Sequence, residues 1–326
     1  MSGENVPYQL RPNKFVERQL FYELLEVLGR GKPMSDYAYF SMGGKFLVDH
    51  KSLHSRFQMK SLFSIEECPV TYKRQLFNRP FKFIRCFNEK SGDFVDRFDD
   101  FVSCLGDKKL VAWLDYVSPK DRRKQLEELE ALVSKLRAFD VFKITLNAAT
   151  HTLKNDDPLE HLRTQLGVDA YFPSPVSRED VRKADKFAVV LSKAVQKAVL
   201  NGVAGTPDTV PKPLSAFRYS DGNHQMLTVT GILLPADEKD SFLNSIDFES
   251  WEFSAERWND VYNVSVPDLS EKERRFVDER LFSEPLDELH ATLSFKFDKK
   301  NEESIKILEQ YLTHYRRYPS FVTVGR

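Results

Sequence analysis

Leu110-Val111-Ala112-Trp113-Leu114-Asp115-Tyr116-Val117-Ser118-Pro119 is the stretch on which the reading of this chain turns. An apolar run leads without a break into a carboxylate, and a proline follows shortly after. A strand with one wet face alternates apolar and polar side chains. An unbroken apolar run belongs to a strand covered on both faces, as in a parallel sheet. Pro119 suits the first turn of a helix, where its missing N–H costs nothing. A charged amphipathic segment then runs to about Ala138, and Val141 to Leu146 forms another apolar strand ending at Asn147.

The same unit recurs towards the N-terminus. Asp93 to Cys104 predicts a helix and Phe81 to Phe87 a strand; Pro69 to Asn78 predicts a helix and Leu62 to Ile65 a strand ending in Glu66-Glu67. Lys45 to Phe57 predicts a helix, preceded by a first strand, Tyr37 to Met42, and by Gly43-Gly44. Before it, Asn13 is placed to cap a helix over Lys14 to Leu28, with Phe15, Leu20, Leu24, Leu25 and Leu28 roughly on one face. Towards the C-terminus, residues 150–176 carry Asn155, Asp156, Asp157, Pro158, Pro173 and Pro175 and read as an irregular insertion or lid. Ser177-Arg178-Glu179-Asp180 resembles a helix start leading to about Leu200. Leu214 to Tyr219 and Gln225 to Leu234 read as strands joined by a hairpin turn at Ser220-Asp221-Gly222-Asn223. Alternation of this kind predicts an α/β, doubly wound, Rossmann-like and mostly parallel sheet with helices on both faces and a terminal antiparallel hairpin. Residues 1–235 would form that domain. Residues 236–326, with Trp251, Phe253 and Trp258, would form a mainly helical extension.

With 41% hydrophobic and 30% charged residues, the chain of 326 has the balance of an ordinary globular protein. Its net charge of −1 supplies no global pull towards nucleic acid, which leaves only a local patch for such a partner. No apolar run is long enough for a membrane span, and Met1 to Gln9 lacks the layout of a secretory signal. Cys68, Cys86 and Cys104 are odd in number and form no CxxC pair, which points to a cytoplasmic location. The basic runs Lys108-Lys109, Lys120 to Lys124 and Arg316-Arg317 read as solvated surface.

In a doubly wound sheet a ligand sits beyond the carboxyl ends of the strands. Gly43 and Gly44 follow the first strand, where a missing side chain lets a cofactor approach the backbone. Glu66 follows the second, placed to accept hydrogen bonds from ribose hydroxyls, and Asn88 past the third joins the candidate cofactor set. Asp115 and Tyr116 end the fourth. A carboxylate at the end of a buried strand needs a partner. Ser41-Met42-Gly43-Gly44-Lys45-Phe46 lacks the GxGxxG pattern, which argues against a nicotinamide dinucleotide. Asp115 with Asn147 offers oxygen ligands to a hard cation, a pairing too common to rest a metal site on. His50 and His54 share a helix face, a spacing open to metal ligands but read first as solvated surface. His151 is a general-base candidate. Arg11, Lys14 and Arg18 are placed either to reach a cofactor carboxylate or to form a charged outer face.

Residues 13 to 235 resemble a class I S-adenosylmethionine-dependent methyltransferase. The resemblance implies a seven-stranded sheet, S-adenosylmethionine as cofactor, Gly43-Gly44 as its glycine turn and Glu66 as the ribose acid. Asp115 to Pro119 is similar to the Asp-x-x-x-Pro variants of the motif of amino-group methylating enzymes, which implies catalytic roles for Asp115 and Tyr116. The chain departs from the family at Phe40 and Ser41, where an acid usually ends the first strand, and in having two glycines instead of three. The segments Arg11 to Arg18 and Tyr39 to Asp49 resemble bacterial chains described as O-methyltransferases, some from phage-defence neighbourhoods. The implied function is methyl transfer to an acceptor the sequence does not identify. The alternative is an inactive ligand sensor or scaffold in a larger complex, including an antiviral one, with the extension as its protein interface.

Overall fold

The computed structural model describes residues 11–153, 156–221 and 224–319. In chain order the elements begin with α1 (Pro12–Gly29), β1 (Tyr37–Ser41), α2 (Val48–Phe57), β2 (Ser61–Ile65), α3 (Pro69–Asn78) and β3 (Arg85–Phe87). They continue with α4 (Ser91–Asp96), α5 (Phe98–Val102), β4 (Lys109–Asp115), α6 (Arg122–Val133), β5 (Val141–Asn147), α7 (Pro158–Leu166) and α8 (Ala184–Gly202). The hairpin β6 (Thr209–Asp221) and β7 (His224–Pro235) follows, then α9 (Lys239–Ser245), β8 (Tyr262–Val264), α10 (Glu271–Asp278), α11 (Leu286–Thr292) and α12 (Asn301–His314). No described helix is long and apolar enough to cross a membrane.

One sheet runs in the order β3-β2-β1-β4-β5-β7-β6-β8. The strands β1 to β5 are mutually parallel, and β7 runs antiparallel to both β5 and β6. The expected doubly wound sheet with a terminal hairpin is present, with eight strands where seven were expected. The eighth comes from the extension: β8 pairs in parallel with β6, Phe217 opposite Tyr262. The hairpin strands are longer than expected, and the turn residues Gly222 and Asn223 lie outside the described residues.

Period-two alternation sorts the sheet into two faces. Ala38, Phe40, Leu110, Ala112, Leu114, Phe142, Ile144 and Leu146 enter one core with α6 and α8. Tyr37, Tyr39, Val111, Trp113 and Val141 enter the other, beneath α1. Thus α1 is no outer helix: Leu20, Leu24, Leu25 and Leu28 are all completely buried.

Several expected boundaries move. Asn13 caps nothing; Pro12 opens α1, while the Asn13 amide donates to Ser220 O and accepts from Val266 N–H, joining α1 to the hairpin and the extension. The third strand shortens to three residues because Ile84 N–H closes a turn onto Phe81 O. Ser118 to Asp121 forms a hydrogen-bonded turn, so α6 begins at Arg122 instead of Pro119. Ser177 to Asp180 likewise forms a turn and not the first turn of a helix: Asp180 accepts from Ser177 N–H, and α8 starts at Ala184. The segment read as irregular contains α7. In the extension, Phe253 and Trp258 are buried on the sheet, Trp258 stacked 6.3 Å from Phe142. The aromatic residues that suggested an interface are spent largely inside the chain.

Asp140 fastens the entry to the β4–β5 pair, one oxygen accepting Leu110 N–H at 2.7 Å and the other Arg137 N–H at 2.8 Å. Asp140→Ala leaves Leu110 N–H buried without that acceptor. It should lower the unfolding free energy by about 1–3 kcal/mol, read as a shift in the urea midpoint at unchanged slope.

Candidate functional site

The strand order reverses between β1 and β4, and the crevice beyond their carboxyl ends is where such a sheet holds a ligand. What fills the α1 side of that crevice is polar. By alternation the residues facing α1 are Tyr39 and Ser41 on β1, Trp113 and Asp115 on β4, Lys143 and Thr145 on β5, and Thr228 and Thr230 on β7. All except Asp115 are almost fully buried. Facing them, α1 supplies Lys14, Glu17 and Arg18, and α2 supplies Asp49.

The charged groups among them are linked with Trp113, Thr145 and Thr228 in one network. Lys143 Nζ meets Glu17 Oε1 at 2.6 Å, and Thr228 Oγ1 donates to the same oxygen at 2.9 Å. The Lys143 ammonium also lies 3.8 Å over the Trp113 ring, whose indole N–H donates to Thr145. Arg18 reaches two carboxylates, donating from Nε to Asp49 Oδ1 at 3.0 Å and from Nη2 to Asp115 Oδ2 at 3.4 Å. Tyr22 Oη donates to Asp49 Oδ1 at 2.8 Å. Among the described residues, Asp115 Oδ1, Glu17 Oε2 and Tyr219 Oη are buried with no hydrogen-bond partner.

The electrostatics follow from burial set against pairing. Burial pulls the Lys143 ammonium down, with Glu17 acting against it. Burial pulls Lys14 down to about 8, helped by Arg18 and Arg11 and opposed by Asp115 and Asp49. Burial would push the Asp115 carboxyl up, but Lys14, Arg18, the Thr145 hydroxyl and Lys143 more than offset it, so it lies below its ordinary value. Asp115 is therefore ionised at neutral pH.

The residues singled out from sequence fall into separate groups. Asp115 sits in the cationic network. Tyr116, next along, turns the other way: its hydroxyl donates to Glu128 on α6, and its ring packs against the α6–α8 core. Gly43 and Gly44 also part. A Cβ on Gly43 would lie 2.6 Å from both Leu47 and Ser64, and the Gly43 N–H is taken by Ser64 Oγ, so this glycine serves the packing of its own loop. Gly44 has φ +52° and nothing within 4 Å of a Cβ, which leaves its backbone open. Glu66 and Asn88 share a rim at the β2 and β3 ends. The Asn88 amide donates to Glu66 O and Glu67 O, and Glu66 Oε1 accepts Cys68 N–H at the start of α3.

Other expectations change. His50 is not on a solvated surface: it is buried, held by Phe63 O at 2.9 Å and set edge-on against Tyr39, because α2 packs this face on the sheet. His54, half-buried, bonds Met59 O. The Asn147 amide is tied to Val117 O and Ala149 N–H in the turn after β5. His151 is exposed. Lys14 and Arg18 are buried, not a charged outer face. Among the described residues no group of three or more His, Cys, Asp or Glu is placed to hold a metal ion.

Sequence reading passed over Glu17, Asp49, Tyr22, Lys143 and Tyr219. One signal was available. Lys143 interrupts the apolar run Val141-Phe142-Lys143-Ile144, and a charge inside a buried strand requires a buried counter-charge. Nothing local identifies Glu17 as that partner, 126 residues away.

A family model described as "Putative O-methyltransferase" matches residues 6–325. No curated protein matches the chain. Among solved structures, the N-methyltransferase NodS from Bradyrhizobium japonicum WM9 is 12% identical, with 67% of this chain and 97% of that one covered and a TM-score of 0.37. The O-methyltransferase from Bacillus cereus, in complex with SAH, is 9% identical, with 66% and 80% covered and a TM-score of 0.36.

Two measurements test the network. Lys143→Met alone leaves Glu17 as an uncompensated buried charge and should cost about 3–5 kcal/mol, while adding Glu17→Met should recover most of that loss. Lys14 releases its proton near pH 8 in the folded chain and near 10.5 when unfolded. The unfolded state then binds more protons in that window, so the Lys14 contribution makes stability rise with pH across it. The stability gained by Lys14→Met, taken from urea midpoints, should be greatest below pH 8 and shrink towards pH 10.5. A gap that stays constant would show that Lys14 does not titrate there.

Proposed function

This chain belongs to the O-methyltransferase family whose model it matches, and we propose that it is an S-adenosylmethionine-dependent methyltransferase with its cofactor across the carboxyl ends of β1, β2 and β4. The observation that carries this reading is the Lys14–Arg18–Asp115 cluster at the switch point. The amino-acid end of this cofactor carries an ammonium and a carboxylate. A fixed carboxylate beside two buried cations is the complement of that pair, and Asp115 Oδ1 and Tyr219 Oη retain unused hydrogen-bonding capacity there. The open backbone at Gly44 suits close approach of the cofactor between the sites. Glu66 would take the ribose hydroxyls, with Asn88 holding the β2 end in place.

When bound, the cofactor would supply a sulfonium methyl group to an acceptor's lone pair, the S–CH3 bond breaking as the neutral thioether leaves. The chain's own part is positioning. Asp115, kept ionised by its cations, orients an N–H or O–H of the acceptor, while Tyr116 is held away from it by Glu128. Cys68 and Cys86 are free thiols, in keeping with a cytoplasmic setting.

Calorimetry of the full chain with S-adenosylmethionine should give saturable heat. Glu66→Ala should weaken binding by about tenfold or more through loss of charge-assisted bonds to the ribose. Absence of heat up to millimolar ligand, in folded protein, would sink the reading. A second reading, a chain that binds the cofactor as a sensor or as a scaffold in a larger (for example antiviral) assembly, is favoured by the end of β1 at Ser41, where no acid stands. Asp115→Ala separates the two. Lost biological activity with assembly intact supports catalysis, and unchanged activity supports the scaffold.

A further inference from the structure

Helix α3 is amphipathic the wrong way round. The one buried side chain it has is polar, Gln75. Its outward stripe at i, i+3, i+4 and i+7 is Val70, Lys73, Arg74 and Phe77, with Val70 68% and Phe77 90% exposed. With Asn78 these residues line an open groove of about 470 Å³. Exposed apolar side chains gathered on one patch mark an interaction surface.

The charge around the groove says what does. From Cys68 to Asn88 the sequence holds five cations, Lys73, Arg74, Arg79, Lys82 and Arg85, and no Asp or Glu, in a chain whose net charge is −1. Lys73, Arg74, Lys82 and Arg85 are all exposed. Aromatic rings alternate with them: Phe81 and Phe83 stack 5.3 Å apart, with Phe83 39% exposed. Cations tracking a backbone and aromatic faces offered to flat rings are the two halves of single-strand recognition. An acidic protein would use the charges but not reward rings standing proud between them.

The groove also reaches the candidate site. The Asn78 amide, on its wall, donates at 2.9 Å to Lys45 O, in the loop that carries Gly43 and Gly44, and Phe46 in that loop is 39% exposed. We infer that the α3–β3 edge binds single-stranded nucleic acid, with phosphates on Lys73, Arg74 and Lys82 and bases stacked on Phe77 and Phe83. Binding here does not depend on the methyl-transfer reading.

Fluorescence anisotropy with the full chain and labelled single-stranded RNA and DNA of about 16 nucleotides, without S-adenosylmethionine, tests the inference. Single strands should bind more tightly than duplex DNA, and affinity should fall steeply between about 50 and 200 mM salt. The double variant Lys73→Glu/Arg74→Glu should weaken binding and reduce the salt slope by roughly 1.4, two phosphate contacts' worth. Phe77→Ala should weaken binding about tenfold with the slope unchanged. All three positions are exposed, so the variants should keep the thermal transition of the parent. Failure of both single strands to bind, or binding indifferent to these substitutions, overturns the inference. So does sedimentation showing a dimer that Phe77→Ala dissolves without any oligonucleotide bound, since the face would then serve a second copy. Calorimetry of the same variants with S-adenosylmethionine keeps the two readings apart: oligonucleotide binding without cofactor binding sinks only the earlier one, and the converse sinks only this one.

Discussion

Everything at the strand ends depends on a buried charge network between α1 and the sheet. Lys14, Arg18 and Lys143 face Glu17, Asp49 and Asp115 in a space from which water is largely excluded. Taking such charges out of water is expensive, and the mutual attraction repays it only in good geometry. The network therefore resists any sliding or rotation of α1, because each displacement would strand a charge. Leucines could hold a helix on a sheet at several registers; the Glu17–Lys143 and Arg18–Asp49 pairs select one. That register delivers Arg18 to Asp115 and keeps the Asp115 carboxylate ionised.

The network exists because the sheet has two unlike faces. Beneath α6 and α8 the central strands β1, β4 and β5 present apolar side chains, closing on the buried aromatics Phe40, Phe94 and Phe142. Beneath α1 the same strands start apolar, at Tyr37, Val111 and Val141, and become polar towards their carboxyl ends, at Ser41, Asp115, Thr145 and Asn147. A side chain two residues along a strand stays on the same face, so this gradient concentrates polarity at the crevice. That polarity is what the proposed reading uses for a ligand held by ionised groups at the switch point.

The extension contributes to the same construction. It adds β8 to the sheet edge, seats Trp258 on Phe142, and fixes α1 from outside through the bidentate Arg317–Glu23 pair. Its own small core, around Leu269, Val277, Leu289, Leu308 and Tyr311, lies apart from the others. Its most prominent tryptophans and phenylalanines serve the sheet.

Read alone, the sequence determined the alternation of strands and helices from β1 to β5, the parallel sheet with its closing hairpin, and the strand-end positions of Gly44, Glu66, Asn88 and Asp115. Those properties are legible because they rest on local periodicity: an apolar run between turn residues is a buried strand wherever it lies. Tertiary structure alone decided which face each strand end presents, and with it that Tyr116 turns from Asp115 towards Glu128, that Gly43 packs inside its loop while Gly44 stays open, and that His50 is buried. It also chose the partners of the buried charges, since Glu17 and Lys143 meet across 126 residues of chain. A strand's burial is written in its neighbours in sequence. The partner of a buried charge depends on which distant element covers it, and no spacing within the chain records that.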